Sequence, residues 1–306
     1  MKRAMSQRKL RDQYLGRTRG LRATLTRELK TAAKQAGNAE IRRILLHALY
    51  PRKYLCAMMA VGAYEAAGGQ DGQVAGDIAV FTEAVNLGWM LADDIVDDHC
   101  VRFGKPTAKS VFGEGKTIIA ALHLMSYGYA RIGEYRCKSL TRLAETYSGW
   151  LDRDLRTEKS VADCKAALQN LGSCYGAFSR IASEIAGGRR QVQETIERFG
   201  QQTGYALAIM GECFDLKGQP GRPIAEEFRR GTNVYLVRKA EAKSIHLAKP
   251  QDVWMLLHGS RAHGEVIEEI SACLANAQQT LTCLGWSTAI LASLLETIRS
   301  DLTALQ

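Results

Sequence analysis

Proline is scarce in this sequence: only five of the 306 residues are proline, at positions 51, 106, 220, 223 and 250. Because proline interrupts helices, long unbroken helices are possible almost everywhere. No run of alternating strands and no internal repeat is present, so we predict an all-α single domain packed as a helical bundle. The apolar spacing predicts helices at 39–67 with a break at Pro51, and at 74–99, 115–132, 135–156, 161–186, 190–216, 224–245, 252–258, 263–283 and 286–305.

The sequence also lacks the cysteine spacings of zinc sites and disulfide frameworks. Its eight cysteines are scattered, and no two of them form a Cys-x-x-Cys pair. Most lie in apolar stretches, which is typical of free thiols in a reducing cytoplasm. No stretch reaches about 18 consecutive apolar residues, the length that a membrane-spanning helix needs. We therefore expect a soluble, cytoplasmic protein without a transmembrane segment.

Acidic residues are rare at the start of the chain. Of the first 43 residues, 13 are Lys or Arg and 3 are Asp or Glu, within a chain of net charge +9. Such a basic arm could bind nucleic acid or an anionic membrane. No pattern of interleaved aromatic residues accompanies the charges, so we favour an ordinary solvated helix face and expect no nucleic-acid partner. We expect residues 1–35 to form a basic N-terminal extension and residues 36–306 to form the helical domain.

One acidic cluster follows directly on an apolar stretch. Residues Ala79–Ala92 are typical of a largely buried helix, and Asp93, Asp94, Asp97 and Asp98 come next. Carboxylates four residues apart share a helix face and repel each other, so removing one should not cost stability. Divalent cations would reverse this repulsion, and oxygen ligands at this spacing suit Mg²⁺. We predict a magnesium site, with a solvated acidic helix end as the alternative.

A second acidic pair lies about 120 residues further on. Glu212 and Asp215 are three residues apart within the apolar run Tyr205–Gly218. Two acidic helices that face each other across a bundle could form a polynuclear metal site. A helix end that leads into Gly218 explains this pair about equally well. His99, after the first cluster, could be a further ligand, but we interpret it as a surface residue.

With both acidic stretches in view, the sequence resembles the trans-isoprenyl diphosphate synthases of the polyprenyl synthetase superfamily. Asp93-Asp-Ile-Val-Asp97 is similar to the family's first aspartate-rich motif, and Arg102-Phe-Gly-Lys-Pro-Thr107 is similar to its trailing Arg-Arg-Gly-x-Pro-Thr. Residues 204–218 lie where the second aspartate-rich motif belongs. The resemblance covers residues 40–240. It implies an all-α fold with a central cavity, Mg²⁺ as cofactor, an allylic prenyl diphosphate of ten to twenty carbons as substrate, and a homodimer.

The resemblance also implies roles for individual residues. Asp93, Asp94 and Asp97 would bind Mg²⁺ and promote substrate ionisation, and Glu212 and Asp215 would form the opposite metal wall. The candidate substrate contacts are Arg102 at the allylic diphosphate, Arg222 in about the place of a diphosphate-binding lysine, Lys217 by its position beside Asp215, Arg52 and Lys53 in the isopentenyl diphosphate motif, and Trp89 in the region that controls chain length. An ordinary core residue is the alternative interpretation of Trp89.

Departures from the family pattern fall mainly in the acceptor half of the site. The stretch Tyr50–Cys56 keeps two basic residues but lacks the final Arg-Pro of the isopentenyl diphosphate motif. Phe103 replaces the second Arg of the Arg-Arg pair, and Gly211 replaces the first aspartate of the second motif. The Lys-Thr pair that helps to hold the allylic diphosphate falls near Ser173-Cys174. The ionising half of the site is therefore better retained than the acceptor half.

These departures lead us to favour an enzyme that ionises an allylic prenyl diphosphate without a normal isopentenyl diphosphate site. It would cyclise the cation, as a terpene synthase does, or pass the prenyl group to another acceptor. The first alternative is a head-to-tail polyprenyl diphosphate synthase, which the retained Arg52, Lys53 and Gly-Lys-Pro-Thr favour. The second is a non-catalytic partner subunit of an active prenyl synthase, which the weakened second motif favours.

Overall fold

The computed structural model describes residues 7–49, 53–154, 160–218, 223–225, 228, 234–240, 248–284 and 289–306. These residues form thirteen helices and one short hairpin. The helices are α1 Gln7–Gln35, α2 Ala39–Ala48, α3 Leu55–Ala66, α4 Gly72–Val96, α5 Ala108–Phe112, α6 Glu114–Ile132, α7 Leu140–Asp154, α8 Val161–Ile185, α9 Arg190–Lys217, α10 Tyr235–Ala240, α11 Pro250–Leu257, α12 Arg261–Leu284 and α13 Ala289–Leu302. The strands β1 (Val101–Arg102) and β2 (Lys105–Pro106) pair antiparallel. The predicted all-α fold is confirmed.

Helix α4 lies in the interior and carries the aspartate cluster at its C-terminal end. It packs against α3 and α6, and every residue from Asp77 to Val85 is buried. The helix begins at Asp71, whose carboxylate accepts hydrogen bonds from the backbone N–H groups of Gln73 and Val74. By length and apolar composition α4 could span a membrane, but 67% of its apolar window is buried inside the protein. Packing against neighbouring helices therefore accounts for its apolar character.

Helices α8 and α9 form the opposite wall of the bundle and pack closely along each other. Two glycines permit this approach, because a Cβ at Gly172 would lie 2.8 Å from the Gln201 carbonyl oxygen and a Cβ at Gly200 would lie 2.8 Å from the Tyr175 carbonyl oxygen. Both distances are shorter than real Cβ contacts. Helix α8 also contacts α3 and α7, so the two walls share one core.

The basic N-terminal stretch is not separate from the bundle over its second half. Helix α1 contacts α2, α4 and α13. Its residues Leu25, Leu29 and Ala33 are buried in the main hydrophobic core. Apolar residues four apart lie on one face of a helix, so this part of α1 covers the core with one side and carries its charges on the other.

Candidate active site

The C-terminal end of α4 and the following hairpin bring acidic and basic side chains together. After α4 the chain reverses at Asp98, which has a positive φ of 53°, and enters the hairpin. The hairpin turn uses Phe103 and Gly104, with φ values of 53° and 74°. Such a turn matches the twist of the two strands, although a bulky residue is rarely found in its first position. The reversal returns Arg102 to the aspartates at the end of α4.

Arg102 is buried and forms ion pairs with two carboxylates of the cluster. Its Nε donates to Asp94 Oδ1 at 2.6 Å, and its Nη2 donates to Asp93 Oδ2 at 3.1 Å. Burial alone would lower the pKa of Arg102, but the charges of Asp94 and Asp93 raise it above its ordinary value. The guanidinium therefore stays charged and balances carboxylates that would otherwise repel each other.

His99 belongs to this cluster, and its interpretation as a surface residue is wrong. The residue is only 7% exposed, and its Nδ1 lies 3.2 Å from Arg102 Nη2. The sequence shows that His99 follows the aspartates, but the chain reversal that buries it depends on the left-handed backbone at Asp98. The one signal in the sequence is spacing, since His99 stands three residues before Arg102, a candidate diphosphate-binding arginine. This spacing could have indicated that His99 lies close to the cluster.

The donor set at this end of α4 fits a divalent cation with a preference for oxygen. Ligand atoms of Asp93, Asp94 and His99 all lie within 4.8 Å of one another, whereas Asp97 is not part of this group among the described residues. The Asp93 carboxylate is 31% exposed and lines a cavity. The fully buried Asp94 has one oxygen, Oδ2, with no hydrogen-bond partner among the described residues. Such carboxylates suit Mg²⁺, which is normally held by one or two of them together with phosphate oxygens.

A cavity of about 1140 Å³ extends from Asp93 and Arg102 into the bundle. The side chains at its open end are exposed and include Lys53, Phe103 and Lys217. Its inner lining consists mainly of apolar and aromatic side chains, namely Tyr54, Leu55, Cys56, Trp89, Met90, Tyr147, Cys174, Tyr175, Phe178, Leu207, Met210 and Phe214, with the polar Glu83 and Asn86 among them. The polar rim and apolar interior suit a ligand with a charged head and a hydrocarbon tail.

Trp89 lies one helical turn before Asp93 and restricts the cavity. Its indole stacks on the ring of Tyr147 from α7, with ring centroids 4.3 Å apart and planes inclined by 15°. The Tyr147 ring in turn makes an edge contact with Phe178 at 6.5 Å. These rings form an apolar floor below the aspartates.

The second acidic pair is placed differently from the first. Among the described residues that line the cavity, α9 contributes Gly211 and Phe214 but neither Glu212 nor Asp215. Glu212 instead accepts a hydrogen bond from the backbone N–H of Tyr235 at 2.8 Å, while Asp215 is buried. The role of this pair as a metal wall stays a prediction. A Cβ added at Gly211 would meet no atom within 4 Å, so the cavity is open at this position.

Two of the predicted substrate contacts, Lys53 and Lys217, bond to residues 301–304 at the cavity rim, which we call the C-terminal turn. Lys53 Nζ forms an ion pair with Asp301 Oδ2 at 2.8 Å. Lys217 Nζ donates to the Ala304 carbonyl oxygen. Asp301 and Ala304 themselves line the cavity. The other two basic candidates, at positions 52 and 222, lie outside the described residues.

Comparison with known proteins identifies the relatives of this chain. The Polyprenyl synthetase family model matches residues 38–244. The chain belongs to the polyprenyl synthetase family. Nonaprenyl diphosphate synthase from Mycobacterium tuberculosis is 21% identical over 173 residues, which are 52% of each chain. Geranylfarnesyl diphosphate synthase from Aeropyrum pernix is 27% identical over 192 residues, which are 55% of this chain and 60% of that one. The matches thus span about half to three fifths of these relatives.

Solved structures of family members share the fold over almost the whole chain. A polyprenyl synthase from Caulobacter crescentus, described as complexed with calcium and isoprenyl diphosphate, aligns with a TM-score of 0.84 at 17% identity and covers 95% of this chain and 97% of that one. A geranylgeranyl pyrophosphate synthetase from Pyrococcus horikoshii aligns with a TM-score of 0.82 at 17% identity, over 95% and 98% of the chains. The resemblance inferred from the aspartate motif is therefore confirmed at the level of family and fold.

Proposed function

We propose that this protein is a head-to-tail prenyltransferase that ionises an allylic prenyl diphosphate and joins the prenyl group to isopentenyl diphosphate. The observation that carries the proposal is that Asp93 and Arg102 line a cavity whose other lining side chains are mainly apolar and aromatic. Curated relatives with names such as nonaprenyl and geranylfarnesyl diphosphate synthase support the same reaction class. The sequence alone favours a cyclase. The names of the relatives, in contrast, are those of enzymes that lengthen a prenyl chain.

Ionisation requires that the diphosphate leaves the prenyl chain as an anion and that water does not attack the allylic cation that remains. Mg²⁺ held by Asp93, with Asp94 and Asp97 as the other predicted ligands on this helix end, would neutralise charge on the departing diphosphate. Arg102 would add a fixed positive charge at the same end of the cavity. The rings of Trp89 and Tyr147 and their apolar neighbours would surround the prenyl chain and exclude water from the allylic cation.

Cyclisation, or transfer to another acceptor, is a second candidate because of three features at the rim. Phe103 brings an aromatic ring to the cavity where the family pattern has an arginine. Gly211 leaves open space where the family pattern has an aspartate. Lys53 and Lys217 bond to Asp301 and Ala304, so a second diphosphate would compete with these contacts. A non-catalytic partner subunit is less well supported, because Asp93 and Arg102 both line the cavity and Asp94 is paired with Arg102.

A product assay separates these candidates. Purified protein and Mg²⁺ would be incubated with allylic diphosphates of ten, fifteen and twenty carbons, each with and without isopentenyl diphosphate, and the products identified by mass spectrometry. A longer diphosphate formed only with isopentenyl diphosphate supports the proposal. A hydrocarbon or alcohol formed without it would replace the proposal with the cyclase. No product in any mixture would favour the partner subunit.

We further propose that two copies of this chain associate through α6. Its residues Ile118, Ile119 and Leu122 lie on one face and are between 44% and 58% exposed, whereas Ala121 and Leu124 on the other face are buried. A continuous apolar stripe of this kind often marks a protein interface. A two-fold axis would place the stripe against its own copy, so that both partners bury the same residues.

A further inference from the structure

His99 is held at the end of α4 by its backbone as well as by its ring. Its N–H donates to the Asp94 carbonyl oxygen at 2.9 Å. Its own carbonyl oxygen accepts a hydrogen bond from Thr107 Oγ1 at 2.8 Å. The residue is thus tied both to the end of α4 and to the start of α5. A buried side chain on a backbone fixed at both sides has little freedom to move.

The contact between His99 and Arg102 defines the role of the imidazole. A guanidinium carries only donors, so in the hydrogen bond between His99 Nδ1 and Arg102 Nη2, 3.2 Å apart, the imidazole nitrogen is the acceptor. The same Nη2 donates to Asp93, and Nε donates to Asp94. The guanidinium is therefore held by three acceptors from two parts of the chain, two carboxylates and one imidazole nitrogen.

This contact argues against His99 as a metal ligand. Asp93, Asp94 and His99 each place a ligand atom within 4.8 Å of the others. The Arg102 guanidinium already bonds to all three residues. A metal ion held by these three residues through the same atoms would compete with a buried arginine whose charge the carboxylates balance.

We propose that His99 is a positioning residue that holds Arg102 in place for the diphosphate. This inference rests on the proposed function. If Asp93 turns toward a bound cation, Arg102 loses one of its three acceptors, while Asp94 and His99 remain on fixed backbone. The imidazole then keeps the guanidinium from following Asp93. An imidazole nitrogen suits this task better than a further acidic side chain, because a third carboxylate would neutralise the arginine that the diphosphate needs.

The test compares His99→Leu, which removes the acceptor, with His99→Asn, whose amide oxygen lies near the place of Nδ1. Binding of inorganic pyrophosphate would be measured by calorimetry in the presence of Mg²⁺, next to the melting temperature of each variant. We expect His99→Leu to weaken pyrophosphate binding about tenfold, equivalent to one hydrogen bond to a charged group, and His99→Asn to recover most of this loss. The KM for an allylic diphosphate should rise in parallel, with a smaller change in kcat.

His123→Leu is the matched control, since this half-buried histidine of α6 is not among the described residues that line the cavity. Wild-type binding by His99→Leu would overturn the inference. So would a His99→Asn variant that melts like the wild type but binds as weakly as His99→Leu. If His99→Leu does not fold, the comparison of His99→Asn with His99→Gln decides, because the glutamine amide reaches too far and should bind less tightly. A wild-type protein that binds no pyrophosphate would instead refute the proposed function.

Discussion

Asp93 and Asp94 are adjacent in sequence but lie in opposite surroundings. The Asp93 side chain is 31% exposed and faces the cavity, whereas the Asp94 side chain is fully buried against Arg102. Charge repulsion, the only interaction visible in the sequence, predicts that removing either carboxylate leaves the fold intact. The buried ion pair, which the sequence does not reveal, changes this expectation for Asp94.

We expect Asp94→Asn to lower the free energy of unfolding by about 3 kcal/mol, because it leaves the buried guanidinium of Arg102 without its main counter-charge. Asp93→Asn should change stability by less than about 1 kcal/mol, since its partner stays paired with Asp94. Urea unfolding of both variants and the wild type at neutral pH measures the difference. Equal stability of the two variants would show that Asp94 and Arg102 do not form the pair described.

The stacked rings of Trp89 and Tyr147 form the floor of the cavity. Trp89→Ala removes one ring of the stacked pair with Tyr147 and deepens the space below the aspartates. If prenyl transfer is the activity, the variant should make products with longer chains than the wild type, as judged by mass spectrometry. Tyr147→Phe keeps the ring and serves as control, with unchanged products. An unaltered product distribution in Trp89→Ala would mean that the prenyl chain does not extend toward this pair.

Helix positions follow closely from the sequence because apolar spacing determines them. The predicted helices 115–132, 161–186 and 190–216 correspond to Glu114–Ile132, Val161–Ile185 and Arg190–Lys217. The rotation of α9 does not follow in the same way. Its last turns are apolar on several faces, so the pattern does not show that Gly211 rather than Glu212 faces the cavity. The hairpin after α4 is likewise missed, because its turn has Phe103 at the first left-handed position, where Asn, Asp or Gly is the usual signal.

Glu269 connects four helices and makes their packing sensitive to acid. Its carboxylate on α12 accepts from Tyr205 on α9 and Tyr235 on α10, each at 2.8 Å, and pairs with Lys165 on α8 at 2.5 Å. Burial alone would raise the pKa of Glu269, but the hydrogen bonds from Lys165, Tyr205 and Tyr235 lower it below the ordinary value of 4.5. The stabilisation is therefore present above pH 4.5 and is lost as the pH falls through the lowered pKa.

We expect Glu269→Gln to be less stable than the wild type by about 2 kcal/mol at neutral pH, because the charge-assisted hydrogen bonds are weakened. As the pH falls below 4.5 and through the lowered pKa of Glu269, the two proteins should become similar, because the wild-type carboxyl group takes up a proton. Urea unfolding across this pH range measures both effects. Glu268→Gln, which changes the exposed residue next to Glu269, is the control. A stability difference that does not shrink in acid would contradict the role given to the Glu269 charge.

At the scale of the whole molecule, the apolar stripe of α6 predicts a self-complementary interface. Leu122→Glu should dissociate a dimer, because a two-fold axis brings the introduced charges close together in an apolar contact. Sedimentation at several protein concentrations measures the change in mass. Met255→Glu alters a still more exposed apolar residue, on α11, and should leave the mass unchanged. A monomeric wild type, or a dimeric Leu122→Glu variant, would rule out this interface.

The central claim is that the aspartate end of α4 releases diphosphate from an allylic substrate. The most direct measurement is the rate of pyrophosphate release from allylic diphosphates by the wild type and by Asp93→Asn, with Mg²⁺ and saturating isopentenyl diphosphate. We predict release by the wild type, loss of release on chelation of Mg²⁺, and a reduction of about a hundredfold or more in Asp93→Asn at unchanged melting temperature. Release by Asp93→Asn at the wild-type rate would contradict the claim.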